Sequence, residues 1–271
     1  MPELPEVETI KRQLNERLAG RVISGVEIWK TGRETPSGKR FEKKVVGGRL
    51  LAVGRRAKLL IFKFADGTAI IGHLKMTGKF LFVDKKYIRQ KHDRILFVFD
   101  GGKERVVWSD VRTFGYLKYV SAKGLEEVLS KYGPEPLETP VKVLAECLKT
   151  PASRTVKAAL LNQECIAGVG NIYADEACHR TGIRPTRRLS TLTEKDRVTL
   201  IKEVQKILLK SIELNGTTAN DYADTNGAQG GFSALLKVYG REQEPCKKCK
   251  TPIKKIALAG RGTHYCPSCQ K

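Results

Sequence analysis

The sequence predicts an α+β chain of more than one domain, β-rich in its first half, mainly helical beyond it and closed by a cysteine-bearing hairpin. Three observations carry this. Short β-rich runs recur from Arg21 to Tyr119 at the regular spacing of a sandwich or barrel. The prolines of Gly133-Pro134-Glu135-Pro136, continued to Pro140, stiffen a boundary beyond which the apolar period becomes helical. Cys246-x2-Cys249 and Cys266-x2-Cys269, with sixteen residues between the pairs, match a four-thiolate zinc site.

The first element is a helix. Pro5 suits a first helical position, Glu6 and Glu8 complement the N-terminal dipole, and Val7, Ile10, Leu14 and Leu18 form an apolar stripe that Gly20 ends. Ahead of it stand Pro2 and Glu3. With Met1 trimmed, Pro2 presents a secondary amine, which condenses with a carbonyl to a permanently cationic iminium, and Glu3 can shuttle protons beside it. By themselves the same residues also read as a plain helix start.

Strands are expected at Val22 to Trp29, Leu50 to Val53, Lys58 to Ala65, Thr68 to Leu74, Lys79 to Val83, Arg94 to Asp100, Arg105 to Trp108 and Thr113 to Tyr119. Asp66-Gly67 and Gly101-Gly102 are tight-turn pairs between them. The polar stretch Thr31 to Arg40 carries no readable role. Helical patterns then cover Val141 to Lys149, Arg154 to Gln163 and Asn171 to Arg180. A longer helix starts at a capping box, Thr193 with Asp196, and runs along Val198, Ile201, Val204, Leu208 and Ile212 to about Leu214. Gly216 to Gly231 is too long for a turn and reads as a mobile functional loop.

Charge narrows the partners. Fifty Lys plus Arg against twenty-nine Asp plus Glu give +21, a surface suited to releasing counterions from nucleic acid. Charges begin at Glu3 and recur throughout, so neither a signal peptide nor a membrane span is expected, and the chain reads as soluble and cytoplasmic. In that reducing compartment four clustered cysteines hold zinc rather than pair as disulfides. Cys147, Cys165 and Cys178 are expected to be small buried side chains without chemistry.

Three further motifs could meet DNA. Gly260-Arg261-Gly262 is expected at the tip of a hairpin made by Ile253 to Ala259 and Thr263 to Cys266, its glycines letting a phosphate approach the backbone. Gly168-Val169-Gly170-Asn171 precedes a helix and could receive a phosphate there, or be only a tight turn. Asp110-Val111-Arg112-Thr113-Phe114-Gly115, read as extended, puts Arg112 and Phe114 on one side, where they could enter a duplex. Met76 sits in a turn-like His73-Leu74-Lys75-Met76-Thr77-Gly78; core packing is the alternative for Met76 and Phe114.

Taken together the motifs MPELPEVET, RRAKLL, HLKMTG, KHD, DVRTFG, YGPEPL, LLNQECIAGVGNIYADE, TGIRP, VYGRE and GRGTHYCPSCQ resemble, nearly end to end, the bacterial formamidopyrimidine-DNA glycosylases. The resemblance implies a bifunctional glycosylase and abasic-site lyase that acts as a monomer on damaged double-stranded DNA and excises oxidised purines. It implies an N-terminal β-sandwich with flanking helices over 1–133, a linker and helix-two-turns-helix domain with the lesion loop over 134–238, and a zinc ribbon over 239–271. One structural zinc is expected, with no catalytic metal or organic cofactor.

By the same resemblance Pro2 attacks the sugar and Glu3 acts as general acid/base, while Lys58 assists β-elimination and grips phosphate. Arg261 assists δ-elimination and clamps the lesion phosphate with Asn171. Met76, Arg112 and Phe114 fill the gap of the flipped base. Glu6, His92, Arg154 and Lys157 fall where the family approaches lesion or backbone, and Thr217 to Gly231 closes over the base. Departures stand at Thr113, where a second basic residue is common, at Arg94 for a frequent histidine, and at Asn220 for a basic residue. The sister endonuclease VIII type, specific for oxidised pyrimidines, is disfavoured by Leu4 and the long loop before Phe232. A non-catalytic zinc-ribbon DNA-binding protein would leave Pro2-Glu3 unexplained.

Overall fold

A computed structural model describes residues 1–30, 38–219 and 221–271. Most of the polar stretch Thr31 to Arg40, and Asn220, lie outside the described residues. The chain forms two compact units, Met1–Ser130 with Asn215–Gly231, and Lys131–Leu214 with Phe232–Lys271. These units cut across the three sequence segments, because the loop after residue 214 packs with the N-terminal residues.

Unit 1 opens with α1 (Leu4–Leu18). Its stripe of Val7, Ile10, Leu14 and Leu18 is buried as the periodicity requires. Glu6 turns back so that its Oε2 accepts the Glu3 amide at 2.8 Å, satisfying an otherwise orphaned donor at the helix start. Two four-stranded antiparallel sheets follow. One runs β1 (Ile23–Ile28), β6 (Asp93–Phe99), β7 (Glu104–Asp110), β5 (Gly78–Phe82), and the other β2 (Leu50–Arg56), β3 (Leu59–Phe64), β4 (Ala69–His73), β8 (Tyr116–Val120). Their inner faces meet as a sandwich, with Phe62 of β3 and Phe80 of β5 at 5.5 Å between ring centroids and Trp108 buried in the same core.

All eight expected strands are present, the last starting at Tyr116 rather than Thr113. Thr113 has φ 62°, so the segment ahead of that strand is bent, not extended. Two short helices escape the sequence pattern. Among the described side chains of α2 (Gly38–Val45), Phe41 and Val45 anchor the core, and α3 (Ala122–Leu129) buries no residue, so neither shows a readable stripe.

The segment from Asn215 to Gly231 is pinned in its middle rather than loose. Gln13 of α1 donates to Asp224 at 2.8 Å and accepts the Thr225 amide at 3.0 Å. Phe82 of β5 donates to Thr225 O at 3.0 Å. Tyr222 enters the sandwich core and its hydroxyl donates to Asn215 O.

In unit 2, α4 (Val141–Glu146), α5 (Val156–Leu161), α6 (Asn171–Thr181) and α7 (Glu194–Glu213) match the expected helical segments. Thr193 and Asp196 form the capping box of α7, and Gly182 ends α6 in the left-handed region. Tyr173 packs against Phe232 and bonds Ser211, joining α6 to α7. The C-terminal hairpin is β9 (Lys254–Leu258) with β10 (Arg261–Tyr265). Its turn is Ala259-Gly260, both at positive φ, the two-residue arrangement that matches strand twist. Arg261 therefore starts a strand, opposite Leu258, instead of sitting at the tip. The buried Glu176 of α6 accepts the amides of Lys237, Val238 and Tyr239, fixing the chain that enters the hairpin. Among the described residues no helix is long and apolar enough to cross a membrane.

Candidate active site and nucleic-acid interface

In unit 1, Pro2 and Glu3 lie buried at the head of α1, behind an exposed Met1. Glu6 is 1% exposed, and its two oxygens hold different segments: Oε2 takes the Glu3 amide and Oε1 the Thr217 amide at 2.7 Å. One carboxylate thus joins the helix start to the beginning of the 215–231 segment. A side chain at Gly216 would be strained and would press on Glu6, since its φ is 88° and its Cβ would lie 3.0 Å from that carboxylate.

Lys58, 8% exposed, follows Ala57, which stands at φ 52°. Arg55 supports this bend, donating to Ala57 O at 3.0 Å while its Nε bonds Glu8 of α1 at 2.9 Å. Burial alone would raise the Glu8 pKa, but hydrogen bonds from Arg55, Arg12 and Lys11 hold it below the usual carboxylate range. His73, at the end of β4, is pushed down to about 3 by burial and then by the charges of Lys75 and Lys58. It is therefore a neutral imidazole whose Nδ1 accepts the Lys75 amide at 2.9 Å.

Met76, Arg112 and Phe114 are exposed, not core residues. The Arg112 guanidinium lies 5.0 Å from the centre of the Phe114 ring, so the pair shares one side despite the bend at Thr113. His92 is half-buried just ahead of Asp93, whose carboxylate accepts the Tyr87 hydroxyl and the Gln90 amide, both at 2.7 Å. Arg94 is buried and donates twice to Asp110 O.

In unit 2, Asn171 opens α6 after Gly168, which has φ 87°, and its side chain donates to Gly262 O at 3.0 Å. Arg261, immediately before that carbonyl, is exposed. Arg154 is half-buried ahead of α5. Lys157 differs from expectation. It is fully buried, with Nζ 2.6 Å from Asp175 Oδ1, 2.7 Å from Thr263 Oγ1 and 3.3 Å from Gly262 O. A fully desolvated ammonium needs such a partner, so Lys157 braces the hairpin instead of offering its charge to a phosphate. The partner, Asp175, also accepts the His264 amide at 2.8 Å and escaped the sequence reading; an acidic residue on the inward face of α6 was its one signal.

The thiols of Cys246, Cys249, Cys266 and Cys269 all lie within 4.8 Å of one another. Cys246 and Cys269 are 3.9 Å apart, and Cys249 and Cys266 are 3.4 Å apart. Zinc–sulfur bonds of about 2.3 Å in a tetrahedron place sulfurs about 3.8 Å apart, so the cluster fits one structural zinc. The metal would staple the knuckles from which β9 and β10 carry Arg261. It takes no part in chemistry, since four protein ligands close its coordination.

A β-sandwich bearing an exposed cation–aromatic pair, with a helical unit that carries a four-thiolate ribbon, defines a zinc-ribbon protein built to grip nucleic acid. Family models agree along the chain. Residues 1–117 match the formamidopyrimidine-DNA glycosylase N-terminal domain, 132–223 its H2TH domain, and 243–271 the zinc finger found in FPG and IleRS. The Desulforamulus reducens formamidopyrimidine-DNA glycosylase is 40% identical, covering 100% of this chain and 99% of that protein. A mutant of Lactococcus lactis FPG, solved with DNA containing Fapy-dG, superposes with TM-score 0.91 at 34% identity and full coverage of both chains. The wild-type Lactococcus lactis FPG (MutM), solved with DNA containing an oxidised pyrimidine, gives 0.89 at 34% identity, again with full coverage. The chain belongs to the formamidopyrimidine-DNA glycosylase family.

Proposed function

We propose that the chain excises oxidised purines, 8-oxoguanine and formamidopyrimidines, from double-stranded DNA and then cleaves the strand, acting as a cytoplasmic monomer. The observation that carries the mechanism is the buried Pro2-Glu3 pair at the capped start of α1, with Glu6 closing back on Glu3. Loss of Met1 turns Pro2 into a secondary amine whose position is fixed by the helix behind it.

The amine attacks C1′ of the lesion nucleotide as the bond to the base breaks, and the base departs with the proton that the amine nitrogen gives up. Glu3 delivers a proton to the ring oxygen, opening the sugar to an iminium. The iminium acidifies C2′, so loss of a C2′ proton expels the 3′ phosphate, and a second elimination expels the 5′ phosphate. Lys58 and Arg261 hold phosphate through these steps, and Asn171, whose side chain donates to Gly262 O within β10, clamps the lesion phosphate together with Arg261. Met76, Arg112 and Phe114 enter the gap that the extruded base leaves.

Borohydride reduces an iminium to a stable amine, so protein lacking Met1, incubated with an 8-oxoguanine duplex and borohydride, gives a cross-link that maps to Pro2. Protein that retains Met1 gives neither cross-link nor nick while still binding the lesion. A cross-link that maps to a lysine and survives N-terminal blocking would overturn the mechanism. Matched duplexes with oxidised pyrimidines complete the assay, and excision of those alone would move the chain to the endonuclease VIII type.

A further inference from the structure

Met76 and the Arg112–Phe114 pair stand on separate segments, one between β4 and β5, the other between β7 and β8. A single buried carboxylate ties both. Asp110, the last residue of β7, is 1% exposed. Its Oδ2 accepts the Gly115 amide at 2.8 Å and its Oδ1 the Thr77 hydroxyl at 2.5 Å. The same hydroxyl accepts the Arg112 amide at 2.9 Å, so it relays one segment to the other.

The main chain of Asp110 is held as firmly. Its carbonyl accepts Nε and Nη2 of Arg94 at 3.2 and 3.0 Å, and its amide donates to His92 O at 3.0 Å. Gly115 lets its segment close on the carboxylate, and Gly78 lets the turn from Leu74, which carries Met76 and Thr77, close tightly ahead of β5. A Cβ at Gly115 would lie 3.1 Å from Asp110 Oδ2, and one at Gly78 would lie 2.6 Å from Leu74 O. Hydrogen bonds to a buried carboxylate are strong because water does not compete for them.

We propose that Asp110 is a positioning residue that, through Thr77, locks Met76 and the Arg112–Phe114 pair into one rigid wedge, so that lesion extrusion and opposite-base choice depend on it. This rests on the assignment of those three residues to the gap of the extruded base. Exposed side chains that must enter a base stack lose freedom on insertion, and a preformed wedge has already lost most of it. Asp110 accordingly acts on base extrusion from a duplex, not on elimination at a strand with no base to extrude.

The test compares Asp110→Ala, Thr77→Val and Asp110→Asn. The asparagine keeps an acceptor for the Gly115 amide and offers its NH2 to the Thr77 hydroxyl, whose remaining lone pair still serves Arg112 N. Alanine and valine break the relay. Both are expected to slow excision from duplex DNA by roughly tenfold or more, flatten the preference for the opposite base and abolish the fluorescence rise of a 2-aminopurine placed across from the lesion. Both keep borohydride cross-linking to an abasic site in single-stranded DNA, and Asp110→Asn keeps most of the duplex rate. Unchanged duplex excision and opposite-base preference in Thr77→Val would overturn the proposal, as would an equal loss on the single-stranded site. If Asp110→Ala does not fold, the near-isosteric Thr77→Val decides alone. Failure of the unaltered protein to cross-link to the single-stranded site is a different result, which refutes the N-terminal amine mechanism.

Discussion

Substituting Lys157 with methionine removes one half of an ion pair in which neither side chain is exposed. The Asp175 charge would then keep the His264 amide at 2.8 Å but lose its counter-charge at 2.6 Å. Breaking such a pair from one side costs about 3–5 kcal/mol, because the surviving charge has no water to return to. The other two acceptors of Lys157 suffer less. Gly262 O keeps Asn171 at 3.0 Å, and the Thr263 hydroxyl keeps Arg261 O at 3.3 Å. Adding Asp175→Asn to Lys157→Met removes the stranded charge, leaving a residual cost of about 1 kcal/mol for imperfectly matched polar groups. The double variant is therefore more stable than Lys157→Met alone. Urea unfolding followed by helical ellipticity reads this, since both tryptophans, Trp29 and Trp108, lie in unit 1 and report little on unit 2. A cost below about 1 kcal/mol for Lys157→Met, or a double variant as unstable as the sum of the singles, would refute the bracing role.

Removing zinc, by chelation or by Cys266→Ser, should release the Arg261 hairpin and lower DNA affinity while the tryptophan-reported unfolding of unit 1 is unchanged; elemental analysis and a binding isotherm check it, and full affinity without zinc would refute it. Glu8, held below its ordinary value of 4.5, contributes stability that is present above that value and lost as pH falls through the lower folded-state value. Glu8→Gln should accordingly lower the melting temperature at neutral pH and lose that effect in acid, and a constant gap would refute the Arg55 anchor.

The local signals in the sequence were strong where a pattern repeats. Alternation and turn pairs defined eight strands, prolines marked the linker, a capping box started α7, and cysteine spacing specified the zinc cluster. Helices α2 and α3 lacked such a pattern because one buries two apolar residues and the other none. Composition likewise suggested looseness for the segment after residue 214, whereas Gln13, Phe82 and the core position of Tyr222 fasten it.

Residue types and spacing by themselves determined the chemistry this chain can carry: a proline-glutamate start, four thiolates and a large excess of cations. Tertiary structure alone decided which charges face solvent and which act as struts. Lys157 and Arg261 are both cations in basic-looking motifs, yet one is sealed against Asp175 and the other opens an exposed strand. Asp110 reads locally as one more acidic residue before a turn, but pairing of β5 with β7 brings Thr77, thirty-three residues away, to the carboxylate that also accepts the Gly115 amide. The cause is that desolvation and long-range hydrogen bonding depend on contacts between residues far apart in the chain, while local pattern records only propensity and periodicity.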